Sequence, residues 1–351
     1  MNEEHDLLLH EYHPRSHLEV KETPISKPRY PVIDCHNHLM DPFGGGWDHK
    51  PLSQLLEKLD EAGIKEYWDL DGGWGEDILQ FHLDHFKSPA PERFRIFGGV
   101  NWAKWEDHPK DFGDWAASRL KEQARMGAEG LKIWKNFGLH ISDPDRKLVS
   151  INDQRLDPIF ETAGELHLPV LMHIADPVAF FDPLDANNER WEELHTNPNW
   201  HFPSPPFPAF LKLLNDLNSR VQRHTKTLFI GAHVGCYSEN LTWVGQMLEE
   251  CPNYYVDIAA RISELGRQPY TAKRFFEKFS ERILFGIDVG PELKSYQIYY
   301  RFLETDDEYF NYSSSETPSQ GRWYIYGLHL PEIILRKVYF ENAEKIMRAR
   351  N

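Results

Sequence analysis

The chain has 351 residues, of which 40% are hydrophobic and 27% charged, with 39 Lys and Arg against 55 Asp and Glu for a net charge of −16. This composition excludes wholesale disorder, collagen and coiled coil, and the acidic excess excludes nucleic acid or an anionic membrane surface as the main partner while leaving room for a small anionic molecule. Three cysteines, Cys35, Cys236 and Cys251, imply no disulfide framework; with no apolar run of about 18 residues and no signal-peptide pattern, a cytoplasmic location is expected.

Residues 1–29 are polar, interrupted by Pro14, Pro24 and Pro28, and read as an N-terminal arm. From Tyr30 onward, short and nearly continuous apolar runs alternate with amphipathic stretches. The runs are Pro31–Cys35, Glu66–Leu70, Arg95–Asn101, Gly130–Trp134, Pro169–Ile174, Leu228–Val234, Tyr254–Ala259 and Ile283–Val289. Apolar character on both faces marks parallel strands covered on both sides. Helical spacing is read at Leu52–Ala62, Asp111–Met126, Asp153–Leu166, Ala209–Val221, Leu241–Glu250, Ala272–Phe279 and Pro331–Met347. Eight strands alternating with about eight helices predict a single (β/α)8 TIM barrel over residues 30–351. Two long loops are expected on its active face, Asp176–Pro208 after strand five and Gly290–Trp323 after strand eight. His82 and His85 share an acidic helical stretch and are expected in solvent, and Cys35 in the core.

The strand ends carry the chemistry. His36 and His38 flank Asn37 at the end of the first run, so both rings can reach one ion. His173 ends the fifth strand, His233 the sixth and Asp288 the eighth. Five nitrogen and oxygen donors at one barrel mouth form a metal-ligand set. Zn²⁺ is the ion this mixture suits best, with Mn²⁺ as the alternative. Lys132 ends the fourth strand, Arg261 follows the seventh, and Trp74 follows the second. Arg261 can grip a substrate carboxylate or form a rim salt bridge, and Trp74 can stack on a substrate ring or pack.

The motifs Ile33-Asp-Cys-His-Asn-His38, Gly130-Leu-Lys132, Pro169-Val-Leu-Met-His173, Gly231-Ala-His233, Leu284-Phe-Gly-Ile-Asp288 and Tyr339-Phe-Glu-Asn-Ala343 resemble the amidohydrolase superfamily. They are most similar to its amidohydrolase-2, or amidohydrolase-related, family and to the aminocarboxymuconate-semialdehyde decarboxylase branch. The resemblance implies a metal on His36, His38, His173 and Asp288, with His233 beside metal-bound water or substrate oxygen. Some branches carry a carboxylated lysine at the position of Lys132, and His173 and His233 would then hold a second ion. Otherwise Lys132 is an ammonium that meets a substrate carboxylate or pairs with an acid at the rim. One ion is expected, or two if Lys132 is carboxylated. The resemblance also suggests a homodimer or larger assembly.

The leading expectation is a metal-dependent hydrolase that turns metal-activated water on a small carboxylated or cyclic substrate, a lactone or amide, with Asp288 and His233 handling protons. The alternative is a non-oxidative decarboxylase or hydratase on the same scaffold. A non-catalytic ligand-binding barrel is the third reading, and the complete donor set argues against it.

Overall fold

The computed structural model describes residues 7–8, 11–12, 14–41 and 43–349, without the side chain of Trp74. The strands are β1 (Val32–Asn37), β2 (Ile64–Asp69), β3 (Phe94–Gly98), β4 (Gly130–Ile133), β5 (Val170–Met172), β6 (Phe229–Gly231), β7 (Tyr254–Asp257) and β8 (Ile283–Leu284). They form one parallel sheet in sequence order, with a helix on nearly every crossover, as a TIM barrel requires. The Cys35 N–H donates to the Phe285 carbonyl and the Asp288 N–H to the His36 carbonyl, both at 2.9 Å, which joins the last strand to the first. Gly286 makes that seam possible: a Cβ there would lie 2.9 Å from the Cβ of His36.

Alternation along the strands separates two cores. Ile33, Cys35, Trp68, Phe97, Leu171, Ile230, Tyr255 and Leu284 fill the barrel, which Ala343, Ile346 and Met347 of the last helix close from below. The neighbouring strand positions, such as Val170, Met172, Phe229, Val256 and Ile283, join the larger core under the helices. On β5 and β7 the inward face runs Leu171 to His173 and Tyr255 to Asp257, so the period of two carries polar side chains to the mouth.

The helix Leu52–Ala62 has the expected bounds and ends on Gly63, whose φ of 77° is the left-handed helix stop. Helices Phe112–Met126, Phe210–Arg223, Leu241–Glu250 and Pro269–Lys278 lie within a few residues of their sequence positions. The Asp153–Leu166 stretch begins as a 3₁₀ turn, Gln154–Leu156, before the helix Asp157–Glu165.

Two expectations need correction. The segment after β8 opens not as a loop but as the helix Leu293–Glu304, which buries Tyr296, Tyr299, Tyr300 and Leu303. His82 is not solvated: it lies on the helix Glu76–His82, fully buried, with Nδ1 against the equally buried Asp69. His85, one turn on, is half-buried. In the N-terminal arm, Thr23 binds Asp307 through its N–H at 2.7 Å and its hydroxyl at 2.6 Å, and the Arg29 N–H donates to Glu304 at 3.0 Å. No helix among the described residues is long and apolar enough to cross a membrane.

Candidate metal centre and substrate cavity

The Asp288 carboxylate gathers three imidazoles at the barrel mouth. Its Oδ1 lies 3.2 Å from His38 Nε2 and 3.7 Å from His36 Nε2, and its Oδ2 lies 3.4 Å from His233 Nε2. Two backbone devices place these groups. His233 and Val234 have φ of 58° and 57°, and Asp288 has φ of 51°. Left-handed conformations are costly for residues with a Cβ and concentrate at functional sites. Here they fall just past the ends of β6 and β8, where the chain carries His233 and Asp288 to the mouth.

The far nitrogen of each ring fixes its tautomer. His36 Nδ1 meets Asp257 Oδ2 at 2.9 Å, His38 Nδ1 meets Asp71 Oδ1 at 2.7 Å, and His233 Nδ1 meets the Ala259 carbonyl at 2.8 Å. Carboxylates and carbonyls only accept, so each Nδ1 carries a proton and each ring turns its Nε2 toward Asp288. The His38 proton and the Lys132 ammonium 3.1 Å from His36 Nε2 answer the Asp288 charge here, and an ion held by these atoms would take their place. The spacings also suit an ion: metal–ligand bonds of about 2.1 Å give ligand–ligand edges of roughly 3 to 3.5 Å.

His36, His38 and Asp288 form one group with ligand atoms mutually within 4.8 Å, and His36, His233 and Asp257 form another. The second is already spent on hydrogen bonds, since Asp257 Oδ1 also accepts the N–H groups of His233 at 2.9 Å and Ala259 at 3.0 Å. His173 packs its ring on His233 with centroids 4.3 Å apart. Its buried Nε2 stands 3.3 Å from Asp176 Oδ1 yet makes no hydrogen bond, so a donor atom is left over at the edge of the cluster.

Electrostatics follow from burial and neighbours. Burial holds the His173 imidazole down at about 4 and His233 well below the ordinary histidine range. At His38 burial also lowers the pKa, but the Asp71 and Asp288 carboxylates outweigh it and hold the ring at about 9. Burial would raise Asp288, yet His36 and His38 keep it well below the usual carboxylate range. Burial lowers Lys132 to about 8.

Lys132 is 1% exposed, so it is no rim residue. Its Nζ lies 3.1 Å from His36 Nε2 and 5.1 Å from the Trp134 ring centre, and it is not among the described residues that line the cavity above. Arg261 does line that cavity. It is 5% exposed, its Nη1 donates to the Ala260 carbonyl at 2.8 Å, and no described carboxylate forms an ion pair with it. The side chain of Trp74 lies outside the described residues.

The cavity measures about 860 Å³. His38, His173, His233 and Asp288 form its floor, and Phe43, Trp134, Phe180, Trp200 and Tyr299 supply aromatic walls. Several contributors had no assigned role in the sequence. Asp71 and Asp257 orient the two histidines of β1, and Asp176 pairs with Lys135 at 2.6 Å. Their only sequence signal was a carboxylate at or just past a strand end.

The sequence matches the amidohydrolase family over residues 33–348. The chain belongs to the amidohydrolase-2 family of the amidohydrolase superfamily, a superfamily of enzymes. No curated protein matches the sequence. Among solved structures, the chain is similar to 2,6-dihydroxybenzoate decarboxylase from Rhizobium, with a TM-score of 0.57 and 13% identity over 92% of this chain and 100% of that one. A dihydroxybenzoic acid decarboxylase from a Polaromonas species, solved with manganese and the inhibitor 2-nitroresorcinol, gives 0.56 and 15% over 92% and 98%. A 5-carboxyvanillate decarboxylase from Novosphingobium aromaticivorans, solved with manganese and a nitrobenzoic acid, gives 0.50 and 13% over 84% and 79%. At these identities the likeness shows the shared barrel.

Proposed function

We propose that this protein is a metal-dependent, non-oxidative decarboxylase of an aromatic hydroxy acid, the alternative rather than the leading expectation from sequence. Arg261 carries the reading. A buried guanidinium with no described carboxylate at ion-pair distance, only the more distant charges of Glu193 and Glu239, is poised to take an anion from a ligand, and this one lines the same cavity as Asp288 and the histidines. An acid substrate supplies that anion, aromatic walls suit a flat ring, and the similar solved enzymes decarboxylate ring acids. Nothing comparable points to a lactone or amide.

His36, His38 and Asp288 would hold the ion, with the unbonded Nε2 of His173 the next available donor. The donor mixture accommodates Mn²⁺ as well as Zn²⁺. When bound, the ion would polarise substrate oxygens and neutralise their charge. Arg261 would orient the carboxylate through charge-assisted hydrogen bonds. The ring carbon bearing that carboxylate must gain a proton before the C–C bond breaks; the bond's electron pair then restores the ring and CO2 departs. His233 Nδ1 is committed to Ala259 and neither His233 Nε2 nor Asp288 holds a proton of its own, so the proton would come from a substrate hydroxyl, and His233 Nε2, facing Asp288 Oδ2, is the atom placed to relay it to the ring carbon. The test is CO2 release from a panel of hydroxybenzoic acids, including 2,6-dihydroxybenzoate and 5-carboxyvanillate, with Mn²⁺-loaded protein. Asp288→Asn should lower turnover by roughly 10²-fold or more. Absence of CO2 together with ¹⁸O from labelled water in the product of a lactone or amide would overturn the reading in favour of hydrolysis.

A further inference from the structure

The cavity is larger than the proposed reaction needs. At the roughly 30 Å³ that one water claims in the liquid, a ring acid of about eleven heavy atoms needs no more than about 330 Å³, less than half of the 860 Å³ present. Part of the lining has a chemistry of its own. One side is a loop whose Ser313, Ser314, Ser315, Thr317 and Ser319 all border the cavity.

That loop is tied in place. Asn311 Nδ2 donates to the carbonyls of Ser315 at 2.8 Å and Glu316 at 3.0 Å, and its Oδ1 accepts the Ser313 N–H at 2.8 Å. Lys294, reaching from the helix Leu293–Glu304, donates to the Ser314 carbonyl at 2.6 Å. The Tyr312 hydroxyl donates to the Gly321 carbonyl at 2.7 Å. The Ser313 hydroxyl accepts the Ser315 N–H at 3.1 Å, while no described hydrogen bond occupies the hydroxyls of Ser314, Ser315 and Thr317. Fixing a row of hydroxyls before a ligand arrives reduces the ordering cost of binding.

Charge narrows what the ligand can be. Arg190 at this end pairs with Glu193 and Glu264, and Arg322 with Glu192. Lys294 does not border the cavity, and among the described residues that line this end these pairs leave no cation without a carboxylate. What remains is a neutral wall of groups that both donate and accept hydrogen bonds. We propose that the part of this cavity that the loop borders is a subsite for a neutral polyhydroxylated unit, a glycosyl or polyol group, attached to the ring acid. The proposal deepens the decarboxylase reading and rests on it for the ring acid alone.

The experiment compares 2,6-dihydroxybenzoate with a dihydroxybenzoic acid glucosylated on a ring hydroxyl, using Mn²⁺-loaded protein. Calorimetry gives Kd and CO2 release gives kcat/KM. The glucosylated acid should bind at least about tenfold more tightly, the worth of one to two neutral hydrogen bonds. In the triple variant Ser314→Ala, Ser315→Ala, Thr317→Ala, that preference should fall by about tenfold. Asn311→Ala, which only loosens the loop, should lower it in the same direction without changing the thermal midpoint appreciably. Equal Kd for the two acids, or a preference that the triple variant leaves intact, would overturn the subsite. Tighter binding of the glucosylated acid without CO2 from either would support the subsite and sink the decarboxylase reading.

Discussion

Replacing Asp257 by asparagine should weaken metal binding without emptying the site of any proposed ligand. Asp257 is fully buried; one oxygen accepts the His233 and Ala259 N–H groups and the other accepts His36 Nδ1–H at 2.9 Å. Asparagine has nearly the same shape. Two backbone donors require its carbonyl oxygen, so the amide NH2 must take the position facing His36. Two N–H groups cannot face each other, and His36 must move its proton to Nε2. That nitrogen then points a hydrogen at Asp288 and at the Lys132 ammonium 3.1 Å away, and cannot coordinate. Loss of such an orienting partner typically weakens metal binding 10- to 100-fold, about 1.4–2.7 kcal/mol. The stabilisation that a fixed metal concentration confers should shrink by the same amount. Calorimetric titration of chelator-treated protein with Mn²⁺ and Zn²⁺, paired with denaturant unfolding with and without metal, separates affinity from stability. An Asp257→Asn protein that binds metal like the wild type and merely unfolds earlier would refute the tautomer argument.

Arg261→Met should raise KM for a ring acid roughly 10- to 100-fold, the scale of lost charge-assisted hydrogen bonds, while affinity for a phenol lacking the carboxylate stays within about twofold; equal losses for both would remove the arginine from carboxylate binding. His82→Ala leaves the buried Asp69 carboxylate unpaired and should cost about 3–5 kcal/mol in urea unfolding, whereas a cost below about 1 kcal/mol would restore the solvent-exposed reading. His173 stays neutral in the folded protein down to about pH 4, while in the unfolded chain it gains a proton below about 6.5. Metal-free protein should therefore lose up to about 3 kcal/mol through this group as pH falls from 6.5 to 4. His173→Asn should flatten that part of the profile, and an unchanged slope would assign it elsewhere.

The residues alone determined most of the architecture. Parallel strands covered on both faces must be apolar along both, so all eight were legible as short runs, and the count gave the barrel. Because such strands end at one mouth, His36, His38, His173, His233 and Asp288 could be grouped before any contact was known. The helix Leu293–Glu304 was legible in principle through Tyr296, Tyr299, Tyr300 and Leu303, but its polar flanks let it pass for a loop. His82 shows the limit of local pattern: a histidine on a charged helix looks solvated unless one knows that β2 delivers Asp69 beneath it.

Only the closed barrel decided the rest. Which carboxylate orients which imidazole depends on contacts between strands far apart in sequence, as when Asp257 of β7 meets His36 of β1. Left-handed backbone at His233 and Asp288 is set by the space at the mouth rather than by residue type. That no described carboxylate forms an ion pair with Arg261 could not be read from its neighbours in the chain, because a missing ion pair depends on every element packed around it. Periodicity is local and records which side of an element is buried; the meeting of polar groups is long-range and follows only once the first and eighth strands join.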